Sequence, residues 1–192
     1  KHVFPATALF LACTCLQSGE TALPVLDVPY TPVKPAMEAK ADDPAWQKAV
    51  VLRELTLSRE SPQGDQAKPT EVRLLWDEQF LYVRFVCQDD ALYLPETGRD
   101  KLLYRGDVVQ VFIDAKGDGR QVAEVLGNAN NEVLDLQILL TDEPRSDENL
   151  MLQPDMRERD YWICVDWNME GLKTAAARQE KDGKLTGWTV EM

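Results

Sequence analysis

The sequence predicts an all-β fold, an antiparallel β-sandwich of the jelly-roll or immunoglobulin-like type. Three observations support this prediction. Short apolar segments alternate with polar residues at a period of two, turn-forming residues separate these segments, and no stretch after residue 46 keeps a helical period. With 44% hydrophobic and 28% charged residues, the chain of 192 residues can bury a core. We therefore expect about eight or nine short strands.

The first strands are predicted at Val50–Leu57, Thr70–Trp76 and Phe80–Cys87. The second of these alternates, with Trp76 on its apolar face, and the third returns after the polar turn at 77–79. Two alternating segments joined by a short polar turn indicate a β-hairpin.

The later strands are predicted from the same pattern of apolar segments and turn residues. Asp107–Asp114 is mostly apolar and β-branched, which is typical of a strand buried on both faces. Gln121–Leu126 and Glu132–Leu140 flank turn residues at 128–131, and residues 141–160 form a polar excursion. The last predicted strands are Tyr161–Val165, Leu172–Ala177 and Trp188–Glu191.

The first 22 residues are typical of an export signal. Lys1 precedes an apolar run from Val3 to Leu16, and a small, polar segment follows. The run is too short for a permanent transmembrane helix. Residues 10–13, Phe-Leu-Ala-Cys, resemble a bacterial lipobox, in which Cys13 would carry a lipid anchor. We expect an exported protein, either secreted or periplasmic, or lipid-anchored to a bacterial membrane.

The domain boundaries follow from composition. Residues 23–41 are rich in proline and form an extended lead-in. Residues 42–192 form the sandwich, and the apolar ending Gly187–Met192 suggests a strand stopped in mid-course, so we expect a domain truncated at its C-terminus.

Charge and histidine content exclude several classes of partner and of catalytic site. The net charge is −12, with 21 Lys and Arg against 33 Asp and Glu, which argues against a nucleic-acid or anionic membrane partner. A neutral glycan as ligand is compatible with this net charge. The single histidine, His2, lies in the predicted signal, so a mature protein would lack histidine for catalysis, zinc or haem.

Acidic and thiol groups give weaker candidates. The many acidic residues could include the two catalytic carboxyl groups of a glycoside hydrolase. Sequence spacing alone cannot show that two carboxyl groups face the same sugar. Asp114 and Asp118 are candidate calcium ligands in one loop. The loop departs from the EF-hand pattern, which favours the alternative of a solvated turn. Cys87 and Cys164 lie in predicted strands and are either two buried thiols or a disulfide.

Aromatic side chains are the strongest binding candidates, because their flat faces stack on sugar rings. Trp46, Trp76 and Trp188 lie in apolar patterns and are predicted to fill the core. Tyr104 differs, since it lies in a loop just before a strand, where we expect its ring to be exposed.

Several motifs in the correct order resemble family 9 carbohydrate-binding modules. They cover roughly residues 42–192 and comprise the segments DDPAWQKA at 42–49, EVRLLWD at 71–77 with FLYV at 80–83, GDVVQVFID at 106–114, the region 124–135, and the closing segments at 167–175 and 187–192.

The resemblance implies a sandwich related to the DOMON superfamily that binds a glycan without catalysis and holds structural calcium. Its first sugar-stacking tryptophan corresponds to Tyr104, its hydroxyl-binding glutamate to Gln110 and a ligand-binding arginine to Leu126, while its second tryptophan lies beyond Met192. The expected ligand-binding residues are Tyr104, Arg105, Gln110 and Asn128, and the expected metal ligands are Asp114 and Asp118.

The leading hypothesis is therefore an exported, non-catalytic carbohydrate-binding module associated with polysaccharide degradation, with no required cofactor. One alternative is a structural or interaction domain of the same fold that does not bind sugar. The other is part of a glycoside hydrolase whose catalytic domain lies outside this chain.

Overall fold

The fold is an antiparallel β-sandwich, as the sequence predicts. The computed structural model describes residues 25–40, 43–53, 55, 68–140 and 161–192. The predicted export signal, its Cys13 anchor and the 141–160 excursion lie outside the described residues. The strands are β1 (Val50–Leu52), β2 (Thr70–Trp76), β3 (Leu81–Gln88), β4 (Val109–Ile113), β5 (Gln121–Gly127), β6 (Val133–Leu140), β7 (Tyr161–Cys164), β8 (Ala175–Lys181) and β9 (Lys184–Glu191).

These strands form two sheets. The five-stranded sheet has the order β1-β2-β3-β9-β8, and the four-stranded sheet has the order β4-β5-β6-β7. Every pairing between neighbouring strands is antiparallel. The predicted hairpin is confirmed, because β2 pairs with β3 from Thr70 opposite Cys87 to Trp76 opposite Leu81. The strand expected at Leu172–Ala177 begins later, at Ala175.

The main core lies between the two sheets. Because side chains alternate along a strand, one face of each sheet supplies buried apolar residues. Val72, Phe85 and Val190 come from the five-stranded sheet, and Val109 and Val125 come from the four-stranded sheet. These residues enclose the main apolar cluster of the sandwich.

Both candidate cysteines are free thiols. Cys87 is buried in the core, where burial raises the pKa of its thiol to about 11. This thiol therefore stays protonated near neutral pH.

Two predictions about burial are wrong. β4 is not covered on both faces, because Phe112 on one face is 58% exposed while Val109 on the other is buried. Trp76 is 44% exposed rather than packed in the core. Its ring meets Tyr30 edge-on at 5.2 Å between centroids, and its Nε1 donates to the Val28 carbonyl at 3.0 Å. Trp46 and Trp188 are buried as predicted.

The proline-rich lead-in is part of the folded domain. Tyr30 forms a parallel bridge with Trp76 at the end of β2, and the Thr31 amide donates to the Trp76 carbonyl at 2.8 Å. Further along, the lead-in reaches the outer face of the five-stranded sheet, where the Ala39 amide donates to Glu191 Oε2 at 2.9 Å. The chain then forms a 3₁₀ turn, Pro44–Lys48, which buries Trp46 against Leu75 and Tyr82. The five-stranded sheet is therefore covered on both faces. In the described part of the chain, no helix has the length and apolar character needed to cross a bilayer.

Candidate functional site

A groove lies on the outer face of the four-stranded sheet. Its volume is about 290 Å³, close to the lower end of the range for small-molecule sites, about 300–1,000 Å³. It is lined by Leu102, Tyr104, Gln110, Phe112, Glu124, Leu134, Leu136, Ile138, Ile163 and Val165. Most of these side chains are aliphatic, so the groove combines an apolar floor with a few polar and aromatic groups.

Strand register brings the groove residues together. Phe112 of β4 lies opposite Glu124 of β5, which lies opposite Leu136 of β6. Residues that oppose one another share a face of the sheet, so these three point outward. Gln110 lies two residues before Phe112 and therefore points to the same face.

A short turn adds Tyr104 beside the sheet. This residue lies in the 3₁₀ turn Leu103–Arg105, and β4 begins shortly after the turn, at Val109. Leu103 is 3% exposed and packs on Leu126, Leu134 and Leu136, which fixes the turn on the sheet. A buried leucine thus positions the neighbouring tyrosine ring.

The groove contains two accessible aromatic rings. Tyr104 is 47% exposed and Phe112 is 58% exposed. The exposure expected for Tyr104 is confirmed. An aromatic ring beside an apolar floor can stack on the C–H face of a ligand ring.

A hydrogen-bonded pair supplies the polarity. Gln110 Nε2 donates to the carboxylate of Glu124. Burial raises the pKa of Glu124, and the hydrogen bond from Gln110 opposes that rise without cancelling it. The pair can also bond ligand hydroxyls, because carboxylate and amide oxygens accept and the amide has a second N–H.

The structure places the other two predicted ligand residues elsewhere. Asn128 is 2% exposed, and its Oδ1 accepts from the amides of Asn130 at 2.9 Å and Glu132 at 3.1 Å. It therefore shapes the turn between β5 and β6. Arg105 pairs with Glu96 at 3.2 Å and does not line the groove. The groove brings together Tyr104 and Gln110 from the predicted set.

The predicted calcium loop is a turn held by its own amides. Asp114 accepts hydrogen bonds from the amides of Gly117 at 2.8 Å and Gly119 at 2.7 Å. The bond from Gly119 is the main reason that the pKa of Asp114 is lowered. Asp118 accepts from the Arg120 amide at 2.9 Å. Within the described residues, no three acidic, cysteine or histidine side chains gather as metal ligands. Calcium binding at Asp114 and Asp118 stays a prediction.

The sequence reasoning missed Phe112 and did not single out Glu124 among the acids. A signal for Phe112 was present, because polar Gln110 alternates with Val109 and Val111, as expected of a strand with one open face. Glu124 gave no local signal, since its place beside Gln110 depends on the pairing of β4 with β5.

A scan against known families matches residues 37–143 to the carbohydrate family 9 binding domain-like family. The match spans more than half of the chain. The chain belongs to this family. The matched range of this family 9-like domain includes Tyr104, Gln110, Phe112 and Glu124 of the groove. A search of curated proteins found no significant match. Family membership supports carbohydrate binding as the domain's general function.

Proposed function

We propose that the domain binds a saccharide, without catalysis, in the groove on the outer face of the four-stranded sheet. The observation that carries the proposal is the grouping of the Tyr104 and Phe112 rings with the Gln110–Glu124 pair on an apolar floor. Aromatic faces suit the apolar side of a pyranose ring, and the polar pair suits its hydroxyls.

A binding role fits the groove better than hydrolysis. Glycoside hydrolysis uses two carboxyl groups that flank the scissile bond. Among the described residues that line the groove, Glu124 alone carries a carboxyl group. A single acid can orient hydroxyls but leaves the second role of a hydrolase unfilled.

The wider context of the proposal is an exported module that works beside polysaccharide-degrading enzymes. The apolar segment Val3–Leu16 after Lys1 supports export, with Cys13 as the residue for a lipid anchor. The resemblance to family 9 modules supports the association with polysaccharide degradation. A carbohydrate-binding module keeps an enzyme on its substrate, so an external location is consistent with this role.

Isothermal titration with cello-, xylo- and other neutral oligosaccharides tests the proposal. We expect Tyr104→Ala and Phe112→Ala each to weaken binding by about 1–3 kcal/mol, because each removes a stacking face. Trp76→Ala is the matched control, since this exposed aromatic lies in the other sheet. Absence of heat with every glycan, or equal weakening by the control, would reject the groove as a sugar site.

A further inference from the structure

Glu124 is the one charged side chain in the described lining of the groove. It projects from β5 between Phe112 on one neighbouring strand and Leu136 on the other. Apolar neighbours lower the local dielectric response and strengthen the field of a charge. Among the described lining residues, no cation compensates the negative charge that a ligand in the groove would meet.

The neighbouring polar groups do not neutralise this charge. Gln110 directs its amide nitrogen at Glu124 but contributes no formal charge. The nearest cation along the chain from Tyr104 is Arg105, whose guanidinium is paired with Glu96 at 3.2 Å. The other described lining residues are aliphatic or aromatic. The groove thus presents one carboxylate and no described ammonium or guanidinium.

We propose that Glu124 selects saccharides by charge and makes amino sugars the favoured ligand class. This inference rests on the proposed function of the groove. A protonated amine on the sugar would form a charge-assisted hydrogen bond with the carboxylate, which is stronger than a bond from a neutral hydroxyl. A uronate would bring a second negative charge to a site whose described lining residues include no cation to pair with it.

The net charge of the chain also favours basic over acidic glycans, so its effect on affinity must be distinguished from that of Glu124. A total of −12 repels acidic glycans and attracts basic ones at long range. Salt screens such long-range effects, with a Debye length of about 3 Å at 1 M, but screens a partly buried contact much less. Preference that persists in concentrated salt therefore belongs to the groove.

The test compares three oligosaccharide series of equal length: oligomers of glucosamine, of glucose and of galacturonic acid. Affinities are measured by titration at about pH 6, where a sugar amine is protonated and galacturonate is ionised. We expect glucosamine oligomers to bind about tenfold more tightly than glucose oligomers in concentrated salt, and galacturonate oligomers about tenfold more weakly.

Glu124→Gln should reduce the ratio of glucosamine to glucose affinity to about one. Glu180→Gln is the matched control, because it changes the net charge equally from an exposed position on β8 of the other sheet. The double variant Gln110→Glu/Glu124→Gln returns a carboxylate to the neighbouring position and should restore the preference for the amino sugar.

The outcomes separate the two proposals. If glucose oligomers bind as tightly as glucosamine oligomers, the role of Glu124 is overturned and the groove remains a sugar site. The same holds if the preference for glucosamine oligomers survives Glu124→Gln. Absence of binding in all three series would overturn the groove as a sugar site, and the charge selectivity with it.

Discussion

At the scale of single residues, one carboxylate determines the geometry of the β2–β3 hairpin. Asp77 is 6% exposed and accepts hydrogen bonds from the amides of Gln79 at 2.7 Å and Phe80 at 2.9 Å. Its second oxygen accepts from the Tyr82 hydroxyl at 2.8 Å. Burial by itself raises the pKa of Asp77, but these hydrogen bonds, together with Lys34, lower it overall.

Asp77→Asn should lower the melting temperature by about 2–4 °C at neutral pH. A carboxyl whose pKa is depressed by folding stabilises the protein above its unfolded pKa of about 3.9, and this contribution is lost as pH falls through the folded pKa. The difference in melting temperature between the wild-type protein and this variant should therefore shrink as the pH falls below about 4. Melting curves followed by circular dichroism across this range measure it. Asp182→Asn, at an exposed turn, is the control, and a difference independent of pH would contradict the prediction.

Residue identity alone predicted part of the candidate site. Tyr104 was predicted from its aromatic ring in a loop before a strand and Gln110 from the motif resemblance, and the structure brings both to the groove. Asn128 lies in a segment with the same resemblance, but its side-chain oxygen accepts hydrogen bonds from backbone amides of the β5–β6 turn. A pattern reports which residues are present, whereas the hydrogen bonds that a polar group makes depend on the backbone around it.

At the scale of elements, alternation predicted the strands well, because a sheet with one buried face imposes a period of two. It failed for β4, where an apolar and β-branched composition suggested two buried faces. The open face of that strand carries Phe112, which is 58% exposed. Whether a second layer covers a given face of a sheet is a long-range property and is absent from the local pattern.

The β3–β9 pairing depends on a glycine. A Cβ added at Gly187 would lie 2.4 Å from the Cys87 carbonyl oxygen and 2.8 Å from Gln179 Oε1. Gly187→Ala must therefore separate β9 from β3, and we expect it to reduce the free energy of unfolding by about 1–3 kcal/mol. Urea denaturation measures the change. Thr186→Ala, at the preceding exposed position of the same strand, should cost much less. Equal losses for the two variants would show that the close approach is not the cause.

At the scale of the whole molecule, the sandwich buries a charged pair beneath its N-terminal segment. Arg84 and Glu191 have side chains 4% and 0% exposed, and Arg84 Nη1 lies 3.4 Å from Glu191 Oε1. The segment closes over them, since Glu191 Oε2 accepts from the Ala39 amide at 2.9 Å and Arg84 Nη2 donates to the Lys40 carbonyl at 2.8 Å. Residues 152 positions apart in the sequence thus meet in one cluster.

These contacts show a packing role for residues 39 and 40 that composition does not predict. Prolines correctly predicted an extended path for the segment, but extension by itself does not reveal what a segment packs against. Arg84 and Glu191 lie on the outer face of the five-stranded sheet and are buried there. Their burial becomes intelligible only when the partners from residues 39 and 40 are in place.

Glu191→Gln should destabilise the domain by about 3–5 kcal/mol, because it leaves the Arg84 guanidinium buried without its counter-charge. The double variant Arg84→Met/Glu191→Leu should recover most of this loss, since paired charges are often replaceable by apolar groups of similar volume. Urea unfolding of the two variants measures the difference. Glu38→Gln is the control, because its pair with Lys40 is exposed and such pairs contribute about 0–1 kcal/mol. If the double variant were as unstable as the single one, the cluster would be needed for its hydrogen bonds to residues 39 and 40. The segment would then be fixed by those bonds, and the charge pair would be secondary.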